Sequence, residues 1–364
     1  MLALRVLVFL AGVLLVAATL LSAVRTFVLP RGVSDRLTAA VFRGVRRLFD
    51  LRTRRVKSYA DRDRAMALYG PITLLTLPLV WLVLIGAGYS GMDWALSLSS
   101  WTDAIEQSGS SLFTLGFASI GSLPRALVSF SEAMIGLGLV ALLIAYLPTI
   151  YSAWSRREEQ VALLEVRAGS PPSAPELIIR FGRIGGFDRL PELWATWEAW
   201  FAYIDESHTS LGVLAYFRSP SPNRSWVTAA GAILDSAAMV NAAVDIPHHP
   251  SADLCLRAGY VALRHIAALH HIPFDPHPEP SDVSVAREEF DGACDRMAAA
   301  GVPLKPERDQ AWRDFAGWRI NYDEVLLGLA AVTMAPEAPW SSDRSHRRTR
   351  RRKPRARREK KSSL

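Results

Sequence analysis

Nineteen consecutive residues, Val6–Val24, carry no charge. Two further stretches of the same kind follow: Ala65–Met92, with no charge, and Ala126–Ser155, with Glu132 alone. Each is long enough to cross about 30 Å of hydrocarbon at about 1.5 Å per residue. Inside a bilayer every backbone polar group must find a partner within the protein, which restricts isolated spanning segments to helices. The expectation is a mainly α membrane protein with three transmembrane helices. A cleaved signal peptide is the rival reading of the first stretch, with a Leu-rich core and a processing site at Ser22-Ala23. Cleavage would place the arginine-rich segment that follows outside the cell. Short basic loops stay on the cytoplasmic side, which favours an uncleaved helix.

Charge orients the spans. Arg25–Arg64 holds twelve basic and four acidic residues, whereas Gly91–Pro124 holds no Lys or Arg and three acids, Asp93, Asp103 and Glu106. The positive-inside rule then puts the N-terminus outside and the C-terminus in the cytoplasm, in a multi-pass plasma (inner) membrane protein. A second basic run, Arg344–Lys361, is low in complexity and reads as a disordered tail. The region between the two runs is strongly acidic, so the excess of seven positive charges does not describe a basic protein throughout. Both runs suit anionic lipid headgroups, and no specific nucleic-acid contact is expected. Cys255 and Cys294 are the only cysteines and stand far apart, giving neither a disulfide framework nor a zinc pair.

Within the basic loop, Val41-Phe42, Val45 and Leu48-Phe49 recur at helical spacing among Arg43, Arg46, Arg47 and Arg52. This pattern fits an amphipathic helix on a lipid surface or a solvated connector. In the second span, Pro71 suits a helix start and Pro78 a kink. Trp81 and Tyr89 are placed to anchor at the interfaces or to face a neighbour. Between the second and third spans, Ser100 with Asp103 fits a capping box. A short helix from about Asp103 to Phe113 follows, ending directly on Thr114-Leu115-Gly116-Phe117-Ala118-Ser119.

That stretch, from Ser110 to Ser119, resembles the pore loop of potassium channels, whose filter reads T-V-G-Y-G. Thr114 matches the threonine, Leu115 the valine, Gly116 the first glycine and Phe117 the tyrosine. Ala118 stands in place of the second glycine and Ser119 where an aspartate often follows. The resemblance covers roughly Pro71–Trp154, a two-helix-plus-pore-loop unit. It implies a re-entrant pore loop, a homotetramer and a permeant potassium ion conducted by the carbonyls of Thr114, Leu115, Gly116 and Phe117. A left-handed backbone at Ala118 costs about 1 kcal/mol or more, which weakens the outermost ring.

In the third span, Glu132 lies seven residues after Arg125, two helical turns along one face, where the two can pair. Gly136 and Gly138 permit close packing against the short helix or a bend, and close packing is the expectation. Arg125, Glu132 and Gly136 together resemble the inner helix of bacterial two-helix channels.

The chain divides on this reading into 1–25 (first span), 26–64 (basic loop), 65–155 (channel-like unit), 156–173 (linker), 174–343 (cytoplasmic, mainly helical domain) and 344–364 (tail). Helical patterns occur in Leu190–Asp205, Trp226–Val244, Ala252–His271, Val283–Ala300 and Arg308–Met334, with Leu211–Phe217 a strand or a buried turn. Arg180-Phe181-Gly182-Arg183-Ile184-Gly185-Gly186 is a poor match to a nucleotide-binding turn, because a strand must precede it. Asp205, Glu206 and His208 read as a helix-end network more readily than as an acid–base set. The other histidines show no metal-ligand spacing. No cofactor and no enzymatic activity are expected. Two functions fit: a potassium-channel-like cation channel, or a non-conducting channel scaffold whose helical domain senses a ligand or recruits a partner.

Overall fold

The computed structural model describes residues 2–27, 35–56, 58–97, 100–118, 121–279 and 282–344. It is mainly helical, with no strand among the described residues. The chain forms two compact units, one of residues 1–156 and 207–218, the other of 157–206 and 219–364.

The first unit contains α1 (Leu2–Phe27), α2 (Arg36–Thr53), α3 (Tyr59–Ala67), α4 (Tyr69–Ser97), α5 (Trp101–Leu112) and the first part of α6 (Leu123–Ala168). Three helical stretches, in α1, in α3–α4 and in α6, are long and apolar enough to cross a membrane. Pro71 falls in the first turn of α4, where its missing N–H costs nothing, and Pro78 lies inside the same helix. α1 and α4 meet backbone to backbone at a glycine pair. A Cβ on Gly12 would sit 2.5 Å from Gly88 O, and one on Gly88 would sit 2.8 Å from Val16 Cγ2. Small residues at such a crossing replace the hydrophobic drive that lipid cannot supply with dense van der Waals contact. Around the crossing pack Val16, Leu77, Ile85 and Met92. Trp81 and Tyr89 face neighbours: the Trp81 indole donates to Ser22 Oγ at 3.2 Å, and Tyr89 OH lies 2.9 Å from Ser131 Oγ.

α2 confirms the helical pattern in the basic loop. Its N-cap, Asp35, accepts from Thr38 N at 2.9 Å and from Ser22 Oγ at 2.5 Å, tying the helix to the last turns of α1. Its Phe42 and Phe49 rings pack on Tyr69, the first residue of α4. Leu211–Phe217 is a buried turn and not a strand: Gly212–Tyr216 forms a 3-10 helix. This segment belongs to the first unit, a placement with no signal in sequence order. Tyr216 packs edge-on against Tyr69 at 5.4 Å, Arg218 is ion-paired with Asp63, and Trp154 Nε1 donates to Arg218 O at 3.0 Å.

The second unit holds the end of α6, α7 (Ala174–Arg183), most of α8 (Leu190–Ser210), α9 (Trp226–Ala243), α10 (Pro250–Leu269), α11 (Arg287–Ala299), α12 (Arg308–Arg319) and α13 (Asp323–Thr333). α9 is predominantly apolar and buried at every residue except Asn241, as a central helix must be. α7, α10, α12 and α13 surround it. The Arg308–Met334 pattern splits into α12 and α13. At the break, buried Arg319 reaches Asp323 at 2.8 Å and Asp235 of α9 at 2.5 Å. Arg344, placed in the basic tail by composition, is instead held by Glu289 at 2.7 Å and by Ser284 O. Residues 345–364 of that tail lie outside the described residues.

Candidate functional site

The short helix α5 begins with the expected capping box. Ser100 Oγ accepts from Asp103 N, and the Asp103 carboxylate accepts from Ser100 N, each at 3.2 Å. The helix ends because the chain turns left-handed. Thr114 has φ +53° and Gly116 φ +70°, whereas Leu115, Phe117 and Ala118 do not have positive φ. A β-branched residue at positive φ is strained and persists only where its surroundings hold it. The holding group here is Ser110, buried in the last turn of α5.

Ser110 O accepts from Leu115 N at 2.8 Å and from Gly116 N at 3.4 Å. Ser110 Oγ accepts from Phe117 N and from Ala118 N, both at 3.1 Å. Four successive N–H groups therefore point at one serine. The carbonyls of Thr114, Leu115, Gly116 and Phe117 accept no hydrogen bond from any described residue. Phe113, Thr114, Leu115, Gly116 and Phe117 are exposed within the single chain. The backbone thus turns left-handed at 114 and 116, with the four following amides taken up by one residue. Ser119, the last residue of the sequence match, lies outside the described residues.

α6 supports this turn through Gly136. A Cβ there would overlap Leu112 O, so only glycine lets the end of α5 lie on the α6 backbone. Gly138 faces open space and plays no part in this contact. Glu132 is fully buried, and Ser108 Oγ of α5 lies 2.5 Å from its Oε1. Its Oε2 meets no hydrogen-bond partner among the described residues. The expected pairing of Arg125 with Glu132 gives way to another: Arg125 Nε lies 3.9 Å from Asp93 Oδ1, on α4. Seven residues separate Arg125 and Glu132 by about 10 Å along the axis, and Ser108 of α5 already takes the glutamate. Gln107 completes the polar seam by donating to Ser129 Oγ at 3.0 Å.

Sequence reasoning missed Ser110, Ser108, Gln107 and the Asp93–Arg125 pair. Its one available signal was the serine-rich end of α5, since a buried serine in the last turn before an irregular stretch is placed to cap that stretch.

The remaining candidates do not assemble a site. The glycine-rich run is the end of helix α7 and its turn, with Gly185 at φ +62° and Gly186 N donating to Phe181 O. No strand precedes it, so a phosphate-cradling turn is ruled out there. His265 bonds Asp205 at 2.9 Å, His248 meets Asp253 at 3.1 Å, and His208 lies beside Ser207 at 3.2 Å. Among the described residues no three His, Cys, Asp or Glu side chains group as metal ligands. Cys255 and Cys294 are buried and unbridged, and burial pushes both thiols up, Cys294 to about 11. No protein-family model, curated protein or solved structure matches the chain.

Proposed function

We propose that the chain is a potassium-channel-like monovalent cation channel, with Thr114-Leu115-Gly116-Phe117 as its filter in a homotetramer. The observation that carries this reading is the division of labour at the turn. The amides of 115–118 are taken up by Ser110, and the carbonyls of 114–117 accept no hydrogen bond from any described residue. A single strand of carbonyls cannot replace an ion's hydration shell; four around one axis can. The exposure of Leu115 and Phe117 in the single chain and the sparse burial of α6 are both in keeping with further copies around that axis. On this reading α5 and the turn form the re-entrant pore loop, and the second unit is cytoplasmic.

Native mass spectrometry and bilayer recording of the purified full chain test it together. A tetramer that conducts potassium, and whose currents vanish in Gly116→Ala with assembly intact, is expected. A sole monomer or dimer removes the pore reading. The non-conducting alternative rests on a separate observation. The second unit has a small cleft of about 70 Å³ lined by Phe187, Trp194, Asn241, His248, His249 and Lys305, with room for an ion or a few waters.

A further inference from the structure

α2 has an apolar face wider than the protein covers. Phe42, Val45 and Phe49 turn onto Tyr69, or are buried, on one part of it. Leu48 and Leu51 continue the same face outward and remain 66% and 64% exposed. The opposite face is basic. Arg46 is spent on Asp50 at 3.2 Å, but Arg36, Arg43 and Arg47 meet no carboxylate among the described residues. Position decides what this helix touches. It starts beside Ser22 and Thr26, in the last turns of the spanning helix α1, and it crosses Tyr69, where the spanning helix α4 begins. A helix laid across the same-side ends of two spans lies at the level of lipid headgroups.

We propose that α2 is a binding site for an anionic phospholipid leaflet, with Leu48 and Leu51 inserted at the acyl boundary and Arg36, Arg43 and Arg47 on headgroup phosphates. Guanidinium pairs with phosphate through a planar fork, and juxtamembrane basic helices draw acidic lipid toward themselves. The leucines select a leaflet over free phosphate, because only a membrane offers an apolar layer beside the charge. This assignment does not rest on the pore reading and survives its failure.

The test uses the full chain reconstituted in vesicles of phosphatidylcholine with or without phosphatidylglycerol. Nitroxides are placed at Leu48→Cys and Leu51→Cys, with Leu254→Cys, an exposed leucine of the second unit, as reference. The native cysteines are buried. Positions 48 and 51 should favour oxygen over a water-soluble nickel relaxant by several-fold relative to 254. Spin-labelled phosphatidylglycerol should associate about threefold more than phosphatidylcholine, and the preference should fall toward unity in Arg36→Gln/Arg43→Gln/Arg47→Gln. Nickel access at 48 and 51 equal to that at 254 would show that the face looks to water, as a soluble acidic partner would need, and overturns the lipid assignment. Equal association of the two lipids with the wild-type chain overturns it without reference to any variant.

Discussion

Two buried charged clusters, around Glu132 in the first unit and Arg319 in the second, are satisfied in opposite ways. In the second, Arg319 is fully enclosed and every edge of its guanidinium is used: Nε on Asp323, Nη1 on Asp235 and Nη2 on Trp340 O. Tyr322 OH closes the cluster on Asp235 at 2.8 Å. Burial alone would lower the Arg319 pKa; Asp235 and Asp323 more than offset this and hold it above its ordinary value. In the first unit, Glu132 is as deeply enclosed but keeps one oxygen without a hydrogen bond among the described residues. The Thr114–Phe117 carbonyls likewise accept no hydrogen bond from any described residue. A satisfied cluster fixes a fold, whereas unspent polar atoms beside a strained turn mark where a fold is held ready for something else.

The largest effect expected from this contrast is at Arg319. Arg319→Met strands two buried carboxylates, and breaking such a network costs about 3–5 kcal/mol. Thermal unfolding of the full chain in detergent should show the second unit's transition falling steeply or disappearing. A shift of only a degree or two would mean the cluster is solvated and the contrast between the units is false.

Next in size is a pH effect confined to the second unit. Burial, with His271 adding to it, lowers the His270 pKa from 6.5 to about 4. The unfolded chain then binds the proton more tightly than the folded one between these values. Stability is therefore full above pH 6.5 and declines as pH falls toward 4, by up to about 3 kcal/mol. Chemical denaturation at several pH values measures this, and His270→Gln should flatten the profile. An unchanged slope in that variant would assign the acid sensitivity to other groups.

Smaller in energy but sharper in consequence is Ser110. Ser110→Ala deletes the Oγ that receives Phe117 N and Ala118 N while leaving Ser110 O for the other two amides. The loss is about 1–2 kcal/mol and is local. On the pore reading, currents drop and cation discrimination is lost while the tetramer and its melting temperature are nearly unchanged. Ser110→Thr, which keeps the hydroxyl, should retain both. Global destabilisation by Ser110→Ala would make the serine an ordinary structural cap.

Features set by local rules were legible in the sequence. The three apolar lengths, the Ser100–Asp103 box, the end of α5 and the α2 periodicity each depend on residues within a few positions of one another. What escaped reading depends on which helices become neighbours. Arg125 has Glu132 on its own face, yet its partner is Asp93, because α4 brings a second carboxylate alongside. Gly136 and Gly138 look equivalent in sequence, and only the position of Leu112 tells them apart. The apolar period runs unbroken through 308–334, so the turn between α12 and α13 became visible only with the Arg319 cluster. Nothing near Tyr216 in the chain signals that its ring packs on Tyr69, 147 positions earlier by numbering.

Ala118 gives the smallest expected effect and the finest test of the first unit. Its φ is not positive, and its N–H rests on Ser110 Oγ at 3.1 Å. The alternation of hands that begins at Thr114 and Gly116 therefore stops one residue short of a third left-handed position. For alanine that position costs about 1–2 kcal/mol more than the right-handed one, and glycine removes most of the difference. On the pore reading, Ala118→Gly should raise the population of an inward-turned outer carbonyl by about fivefold for each ~1 kcal/mol recovered. One more carbonyl ring strips the ion more completely, which favours potassium over the more strongly hydrated sodium. Reversal potentials under mixed gradients should shift toward potassium by a modest increment, with assembly and thermal stability unchanged. A shift toward sodium, or none, together with continued conduction in Gly116→Ala, would place ion passage elsewhere and leave the strained turn as a structural end to α5.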